Sequence, residues 1–374
     1  MQAPGLFRSA ALIAVAACCT LAPGYAANDD FPQPARIVVV GDVHGDFAQF
    51  TTVLKSAGLI DNKNKWAGGQ THLVQLGDIP DRGPDTKKII EYLMDLEKQA
   101  RRAKGMVHLL IGNHEAMNVY GDLRYVIPEE YAAFASRDDE YRAAAWEMHE
   151  NELKAKGAES TITAEYRKKW NEERPKGFFE HRVHFGPGGK FYKWIVGHNA
   201  VLRVGDSLFL HAGISPKYVN HERTAINQQI KDELEDFQKL VGGMAMDDEG
   251  PLWYRGLASG DEAALSAHVD AVLAKHGVKR IVIGHTPTAG AVIPRFGGKV
   301  IVADVGLSKA YGSRMACVLI EGGNVSAIHR GKTLPLPPGD PASLLEYLKA
   351  AAALEPAASP LTSLIQKLQN GGVK

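Results

Sequence analysis

The sequence predicts an α/β fold, because short aliphatic runs alternate with amphipathic stretches. The runs at 37–40, 72–76 and 107–111 are mostly β-branched or aliphatic and about five residues long, which is typical of buried strands. The stretches at 47–57 and 85–104 carry apolar residues at helical spacing, with charged residues between them. A helix between two such runs is the usual connection between parallel strands.

Each of the three runs is followed at once by a polar block that contains glycine. The blocks are Gly41-Asp42-Val43-His44-Gly45, Gly77-Asp78-Ile79-Pro80-Asp81-Arg82-Gly83 and Gly112-Asn113-His114-Glu115. In open α/β sheets, ligands bind at the edge where such strands end, because the loops converge there on a rigid support. A mixed set of carboxylate, amide and imidazole groups suits hard or borderline divalent metals. The blocks therefore predict a two-metal hydrolase site.

Two later strands end in the same way. The run 208–210 is followed by His211-Ala212-Gly213, and the run 281–283 is followed by Gly284-His285-Thr286. His198 also follows an apolar run and is the alternative to His211 as a ligand. The block around His211 is fuller, because it continues into Ile214-Ser215-Pro216, and it favours His211.

The composition changes between 122 and 180. This segment is rich in Ala, Glu, Lys, Arg and Tyr and has few β-branched residues, which predicts a helical insertion. Because it begins a few residues after His114, we expect it to lie near the site; the alternative is a solvated helical face without a functional part. Further strands are predicted at 194–197, 200–204, 207–210, 280–283, 299–303 and 315–320, and further helices at 220–241, 262–276 and 341–352.

The first 26 residues predict a secretory signal peptide. Arg8 is the only charged residue before Asp29, the apolar run 10–21 is too short to span a bilayer, and residues 24–26 offer small side chains at the cleavage positions. An alternative is that the four residues ending at Cys18 form a bacterial lipoprotein box, so that Cys18 carries a lipid. Either way, we expect an exported bacterial protein, periplasmic or secreted.

The rest of the composition sets the expected domain organisation. The chain carries 43 basic and 43 acidic residues without a basic stripe interleaved with aromatics, so no nucleic-acid partner is expected. Only Cys317 lies beyond the signal, so the mature chain has no intrachain disulfide and its core must stabilise the exported protein. We expect a catalytic domain at 27–335, a Pro/Ala-rich tail at 336–374 and no transmembrane helix in the mature chain; the oligomeric state is left open.

Taken in order, the five blocks resemble those of the metallophosphatase superfamily, and specifically its phosphoprotein phosphatase branch. The match runs from about 37 to 311. The insertion, the export signal, Pro251-Leu252-Trp253-Tyr254-Arg255 and Asp304-Val305-Gly306-Leu307-Ser308 resemble the Shewanella-like phosphatases, which are known for phosphotyrosine preference. The resemblance implies a four-layer sandwich of two mixed sheets flanked by helices, with the site at one sheet edge under a helical insertion.

The resemblance also implies two divalent metal ions, manganese, iron or zinc, held by six ligands. Asp42, His44 and His285 are expected to hold one ion, Asn113 and His211 the other, and Asp78 to bridge them. A carboxylate can span ions about 3.5–4 Å apart. A hydroxide shared by the two ions is expected to attack phosphorus directly, without a protein nucleophile.

Further residues are assigned to catalysis and substrate binding by the same resemblance. His114 is expected to protonate the leaving oxygen, and Asp81 to orient His114, because a carboxylate on one ring nitrogen fixes the tautomer. Arg82 and Arg255 are expected to bind phosphate oxygens, because a guanidinium matches them bidentately. Asn113 is counted among the substrate-binding residues as well as among the ligands.

Two residues near the end of the match have alternative roles. The eukaryotic relatives carry a tyrosine beside the site, in a loop of different sequence. Tyr311 either takes the place of that tyrosine or lies away from the site. Asp304 either orients a metal ligand or only caps a turn.

The expected function is that of a phosphomonoesterase acting on phosphorylated proteins or peptides and preferring phosphotyrosine. Nucleotide-directed hydrolases carry the same blocks, but the sequence displays no base-stacking or extended basic groove. A small-substrate phosphatase stays open. A non-catalytic phosphate-binding module is disfavoured, because every predicted ligand and the proton donor are present.

Overall fold

Two six-stranded sheets form the centre of the protein, in a computed structural model that describes residues 28–356 and 359–370. The predicted signal peptide and Cys18 lie outside the described residues. The strands of the described part are β1 (Asp30–Phe31), β2 (Arg36–Val40), β3 (His72–Gln75), β4 (Met106–Leu109), β5 (Val201–Val204), β6 (Ser207–Leu210), β7 (Arg280–Ile283), β8 (Ile293–Arg295), β9 (Val300–Val302), β10 (Ala316–Glu321), β11 (Asn324–His329) and β12 (Lys332–Pro335).

The helices lie mostly between these strands in the chain. They are α1 (Phe47–Ser56), α2 (Thr86–Arg102), α3 (Asn113–Tyr120), α4 (Pro128–Ala132), α5 (Asp138–Ala155), α6 (Ala164–Glu172), α7 (Phe178–Phe185), α8 (Lys190–Val196), α9 (Arg223–Glu235), α10 (Gly256–Ser259), α11 (Glu262–His276), α12 (Pro341–Ala352) and α13 (Pro360–Gln369). Among the described residues, no helix combines the length and apolar character needed to cross a membrane.

Both sheets are mixed, as the fold prediction requires. The first has the order β12-β11-β10-β2-β3-β4, in which β2, β3 and β4 are parallel and β10, β11 and β12 are antiparallel to their neighbours. The second has the order β1-β5-β6-β7-β9-β8, in which β6, β7 and β9 are parallel. The parallel strands of each sheet therefore end on one side, which gathers their following loops.

The two sheets pack face to face and helices cover their outer faces. Ile37 and Val39 of β2 belong to the same buried cluster as Phe209 of β6 and Val282 of β7, so this cluster fills the space between the sheets. The alternating residues, such as Val38, pack in a second cluster with helical side chains. Both faces of the strands are buried, which is why their sequences read as continuous apolar runs. This arrangement confirms the four-layer sandwich.

The segment expected to form a helical insertion contains α4 to α7. It has a small buried cluster of its own, formed by Trp146, Trp170 and Phe179 with Ala145. Arg182 on α7 makes one of the contacts between the insertion and the rest of the protein. Its guanidinium donates to the carbonyl oxygens of Asn118 and Val119, the latter at 3.1 Å.

Some elements differ from the prediction. The strand predicted at 194–197 is wrong, because these residues end the helix α8, in which Phe191, Ile195 and Val196 are buried. A short apolar run fits one face of a helix as well as a strand. The predicted helix 341–352 is confirmed as α12, whereas the short strands β1, β8, β11 and β12 and the helix α13 were not predicted.

Candidate active site

The polar residues that follow the strands meet where the edges of the two sheets face each other. Backbone N–H groups of Val43 and His44 both donate to the carbonyl oxygen of Asp78 at 2.9 Å, which joins the loops after β2 and β3. The backbone N–H of His285 donates to Asp42 Oδ1 at 3.0 Å, which joins the second sheet to the first. The structure thus brings residues separated by more than 240 positions into one site, as Asp42 and His285 show.

The backbone of this site is strained at several points. His44, Asp78, Asp81, Arg82 and His285 all have φ between 43° and 72°, the left-handed region that non-glycine residues rarely adopt. Such conformations persist where surrounding contacts hold them, and they cluster at functional sites. The strain therefore supports the functional interpretation of these loops independently of their chemistry.

Gly112 allows the third loop to approach the second. A Cβ atom at this position would lie 2.4 Å from Asp78 Oδ1 and 2.6 Å from the Asp78 backbone nitrogen. Any larger residue would therefore push α3 away from Asp78. The backbone N–H of His114, in the first turn of α3, donates to the same Oδ1 atom at 3.0 Å.

One group of metal-binding atoms surrounds His211. Its Nδ1 lies 2.8 Å from the carbonyl oxygen of Leu76 and must donate to it, so Nε2 carries a lone pair when the ring is neutral. That Nε2 lies 2.9 Å from Asn113 Oδ1, 3.1 Å from His285 Nδ1 and 3.3 Å from Asp78 Oδ1. His285 Nε2 in turn lies 3.1 Å from the Trp253 carbonyl oxygen, which makes Nδ1 its free nitrogen.

When His211 is neutral, four buried acceptors face one another, which is an arrangement that suits a bound cation. A second group repeats the arrangement: His44 Nδ1 lies 3.1 Å from the Pro80 carbonyl oxygen, so its Nε2 carries the lone pair when the ring is neutral. This nitrogen lies 3.9 Å from Asp42 Oδ2 and 3.8 Å from Asp78 Oδ2. Asp78 contributes one carboxylate oxygen to each group. The residues present fit two divalent ions that share this carboxylate.

The geometry corrects one expected ligand assignment. His285 was expected to share an ion with Asp42 and His44, but that assignment is wrong. Its free ring nitrogen faces His211 and belongs, with Asp78, to a group whose ligand atoms all lie within 4.8 Å of one another. Only its backbone N–H points to Asp42. The Trp253 carbonyl sets this ring orientation, which the position of His285 at a strand end does not reveal.

The electrostatics of the ion-free groups are those of a cation site. Burial, together with Asp304 and Asp78, raises the pKa of Asp42 well above its ordinary range. Burial also opposes the charge of Asp78, but the rings of His211, His114 and His44 hold its pKa well below that range. Burial lowers the pKa of His44 to about 3. The site therefore concentrates negative charge that a bound cation would offset.

His114 and Asp81 form the pair predicted for proton transfer. His114 Nδ1 is hydrogen bonded to Asp81 Oδ2, and Asn118 Nδ2 donates to Asp81 Oδ1 at 3.0 Å. Nε2 of His114 is directed to the metal groups, 3.8 Å from Asp78 Oδ2. Asn118 was not predicted, although its place one helical turn after His114 on α3 is a usable signal.

Glu115 was part of a predicted block but had no predicted role. Its Oε2 accepts from the backbone N–H groups of Asp78 and Gly112, each at 2.8 Å, and its Oε1 accepts from Ile79 at 2.7 Å. Three donors from two loops therefore converge on one carboxylate. Burial and the nearby Asp78 raise the pKa of Glu115 to about 7.

The two predicted arginines lie at the mouth of the site. Arg82 contacts His44 Nε2 at 3.2 Å, and its guanidinium carbon lies 4.7 Å from the ring centre of Tyr125 and 5.2 Å from that of Tyr311. Tyr311 thus reaches the site, with its hydroxyl hydrogen bonded to Arg82. Arg255 is exposed and donates to the carbonyl oxygen of His285 at 3.0 Å.

Two open questions from the sequence are resolved by position. Asp304 accepts from the Gly306 backbone N–H at 2.9 Å, and together with burial its charge raises the pKa of Asp42, so it acts on a predicted ligand as well as on its own turn. His198 lies outside the groups around Asp78. Its Nε2 lies 3.0 Å from Glu97 Oε1. Of the two histidines considered for this ligand position, only His211 therefore lies in the site.

Together, the fold and the paired ligand groups define a dinuclear metallophosphoesterase. The sequence profile of the calcineurin-like phosphoesterase family matches residues 35–289, and the chain belongs to that family. The family implies divalent metal ions. The chain is therefore a metal-dependent phosphatase, as predicted.

Within the family, similar proteins point to the protein phosphatases. An uncharacterized protein of Schizosaccharomyces pombe is 32% identical over 81% of this chain and 83% of its own length. Shewanella-like protein phosphatase 2 of Arabidopsis thaliana is 30% identical over 75% of this chain and 73% of its own length. The crystal structure of a cold-active protein-tyrosine phosphatase of a psychrophilic Shewanella species is 28% identical, with a TM-score of 0.64 over 83% of this chain and 82% of its own. These similarities confirm the resemblance to the Shewanella-like phosphatases.

Proposed function

We propose that this chain is an exported protein phosphatase that hydrolyses phosphomonoesters and prefers phosphotyrosine. The observation that carries the proposal is the buried pair of His114 and Asp81, whose free nitrogen, His114 Nε2, faces the ligand groups at 3.8 Å from Asp78 Oδ2. A proton donor at the edge of a dinuclear site suits the expulsion of an alcohol or phenol from phosphorus. The names of the Arabidopsis and Shewanella proteins support a phosphoprotein substrate.

The six predicted ligands would hold the metal ions. Asp42 and His44 would hold one ion, Asn113, His211 and His285 the other, and Asp78 would contribute to both. When bound, two divalent ions activate water and offset the charge of the phosphoryl group. Oxygen and imidazole ligands suit manganese, iron or zinc.

The protein's own residues bind the substrate and transfer the proton. Arg82 and Arg255, which flank the ligand groups, bind phosphate oxygens, and Asn113 adds its amide to the same region. Asp81 keeps Nδ1 of His114 engaged, so the proton for the leaving oxygen comes from Nε2. Asn118 holds the second oxygen of Asp81 at 3.0 Å and so fixes the plane of the carboxylate.

The cellular setting belongs to the proposal as well. Residues 1–26 act as a signal peptide, and the catalytic domain extends from 27 to 335 with the helical insertion at 122–180. The protein works in the periplasm or outside the cell. The alternative is a lipid anchor at Cys18, which mass spectrometry of the mature protein from a bacterial host distinguishes from cleavage after Ala26.

The test is turnover of matched phosphotyrosine and phosphoserine peptides by metal-stripped protein. Manganese, iron, zinc or buffer is added back, and His114→Asn is assayed alongside. We expect activity that returns with metal, favours phosphotyrosine and falls at least about a hundredfold in the variant, since general acids contribute roughly 10² to 10⁴. Inactivity on both peptides with every metal, combined with turnover of a dinucleoside polyphosphate, would replace the protein phosphatase proposal with the nucleotide-directed alternative.

A further inference from the structure

Tyr125 places an aromatic ring beside the proton donor. It lies in the loop between α3 and α4, where its carbonyl oxygen accepts from the Arg82 backbone N–H at 3.1 Å. Its ring centre is 5.0 Å from that of His114, with an angle of 44° between the ring planes. The residue is 38% exposed, an unusual fraction for a large apolar side chain in this protein. The backbone anchor holds the ring at the site while leaving part of it open to solvent.

This position coincides with the space that a leaving group must occupy. A proton donor acts on an oxygen about 2.6–3.2 Å away, so the leaving oxygen lies next to His114 Nε2. The carbon bonded to that oxygen then lies beside His114, whose ring centre is 5.0 Å from that of Tyr125. When that carbon belongs to a phenol, two aromatic rings come within the range of centre separations, about 4.5–7 Å, in which they attract each other.

We propose that Tyr125 is the specificity-determining residue that selects aryl phosphate esters over alkyl ones. The inference rests on the proposed function, because it assigns the leaving group to the side of His114. The phenol ring of a phosphotyrosine packs on the exposed part of Tyr125 as the phosphate enters between Arg82 and the ligand groups. A phosphoserine presents only a methylene there and gains no such contact.

A purely structural role for Tyr125 makes a different prediction. Its ring also covers Arg82, with the guanidinium carbon 4.7 Å from the ring centre. Loss of this cover would disturb phosphate binding, and both substrates carry the same phosphate. The ratio of kcat/KM for the two substrates is therefore the informative quantity, because an effect through Arg82 lowers both values and cancels in the ratio.

The test compares Tyr125→Leu and Tyr125→Phe with the unmodified protein on phosphotyrosine and phosphoserine peptides of one sequence. The matched control is Tyr141→Leu, since Tyr141 also lies over an arginine, Arg137, at 5.0 Å, but on α5 of the insertion. We expect Tyr125→Leu to lower the phosphotyrosine to phosphoserine ratio about 3- to 10-fold, the range of an aromatic pair. Tyr125→Phe and Tyr141→Leu should keep the ratio within about twofold, because the first retains the ring and the second lies elsewhere.

The outcomes separate this inference from the proposed function. Equal losses on both substrates in Tyr125→Leu, or an unchanged ratio, overturn the role of Tyr125 while leaving the phosphatase proposal intact. A wild-type ratio near one overturns aryl selection by any residue. Failure of the wild-type protein to hydrolyse either peptide with metal present overturns the proposed function itself. Thermal melting of each variant verifies that it is folded before its ratio is interpreted.

Discussion

The carboxylate of Asp81 joins two residues of α3, because one oxygen is hydrogen bonded to Nδ1 of His114 and the other accepts from Asn118 at 3.0 Å. Both oxygens are therefore used as acceptors. The side chains of Asp81 and His114 are almost completely buried, so water does not substitute readily for either partner. Because both oxygens are occupied, even a substitution that preserves the shape of the Asp81 side chain removes a needed acceptor.

Asp81→Asn should lower kcat at least about tenfold with metal content unchanged, as loss of an orienting carboxylate typically does. An amide has only one acceptor oxygen, so either His114 or Asn118 loses its partner. The decisive measurement is kcat on aryl phosphates of graded leaving-group pKa, whose dependence should become steeper when protonation is impaired. Asp139→Asn, at an exposed position of the insertion, is the control. An unchanged slope would contradict the role of Asp81.

Glu115→Gln should destabilise the protein by about 1–3 kcal/mol, because an amide nitrogen replaces one acceptor oxygen and a buried donor is left unpaired. The carboxylate accepts from three backbone N–H groups, and an amide nitrogen would instead point at one of them. Urea denaturation measures the effect. Glu152→Gln, at an exposed lysine pair on α5, should leave stability nearly unchanged and serves as the control. Equal midpoints for the two variants would refute the prediction.

Metal binding should release protons and weaken as the pH falls. Burial opposes the charge of His211, but Asp78 raises the pKa of this ring above its ordinary value in the ion-free protein. A raised pKa means that the ring holds a proton over a wider pH range, and an incoming ion must displace that proton. Calorimetry in buffers of different ionisation enthalpy measures the number released. Affinity that stays constant between about pH 6 and 8 would contradict competition with protons.

Glu355→Gln should destabilise the C-terminal region by about 2–3 kcal/mol at neutral pH. Its carboxylate is 2.8 Å from both His329 Nε2 and an Arg330 nitrogen, and its side chain is fully buried. Although burial opposes it, these two partners hold the pKa of Glu355 below its ordinary value.

The sign of the pH dependence follows from this lowered pKa. The stabilisation is present above the unfolded-state value, about 4.3, and is lost as the pH falls through the folded-state pKa. The difference in unfolding free energy between Glu355→Gln and the unmodified protein should therefore shrink in acid. Glu346→Gln, at an exposed lysine pair on α12, is the control, and a difference that grows in acid would reverse the conclusion.

Polar residues at strand ends are local features of a sequence. The residues that the structure brings together could therefore be named one block at a time. Ring orientation is not local: His285 turns towards His211 because its other nitrogen faces the carbonyl of Trp253, some 32 residues away. For that reason the division of ligands between two ions could not be obtained from the sequence.

Other differences have similarly physical causes. The apolar residues of α8 were predicted as a strand because three consecutive large side chains fit both a strand and one buried face of a short helix. Tyr125 belongs to no polar block, and its position beside His114 depends on how the chain bends after α3. Tyr311 could only be left open, because contact with Arg82 spans 229 positions and follows from the packing of two sheets.

The hydrogen bonds of Arg182 to the end of α3 have a consequence for protein engineering. Asn118 and Val119, whose carbonyls Arg182 binds, lie on the same short helix as Asn113 and His114. The insertion is thus not a cassette that can be exchanged between related enzymes by cutting at its two ends. A chimera that transplants only residues up to 180 would lose the hydrogen bonds of Arg182 to α3, whereas one that extends through Phe185 would keep them.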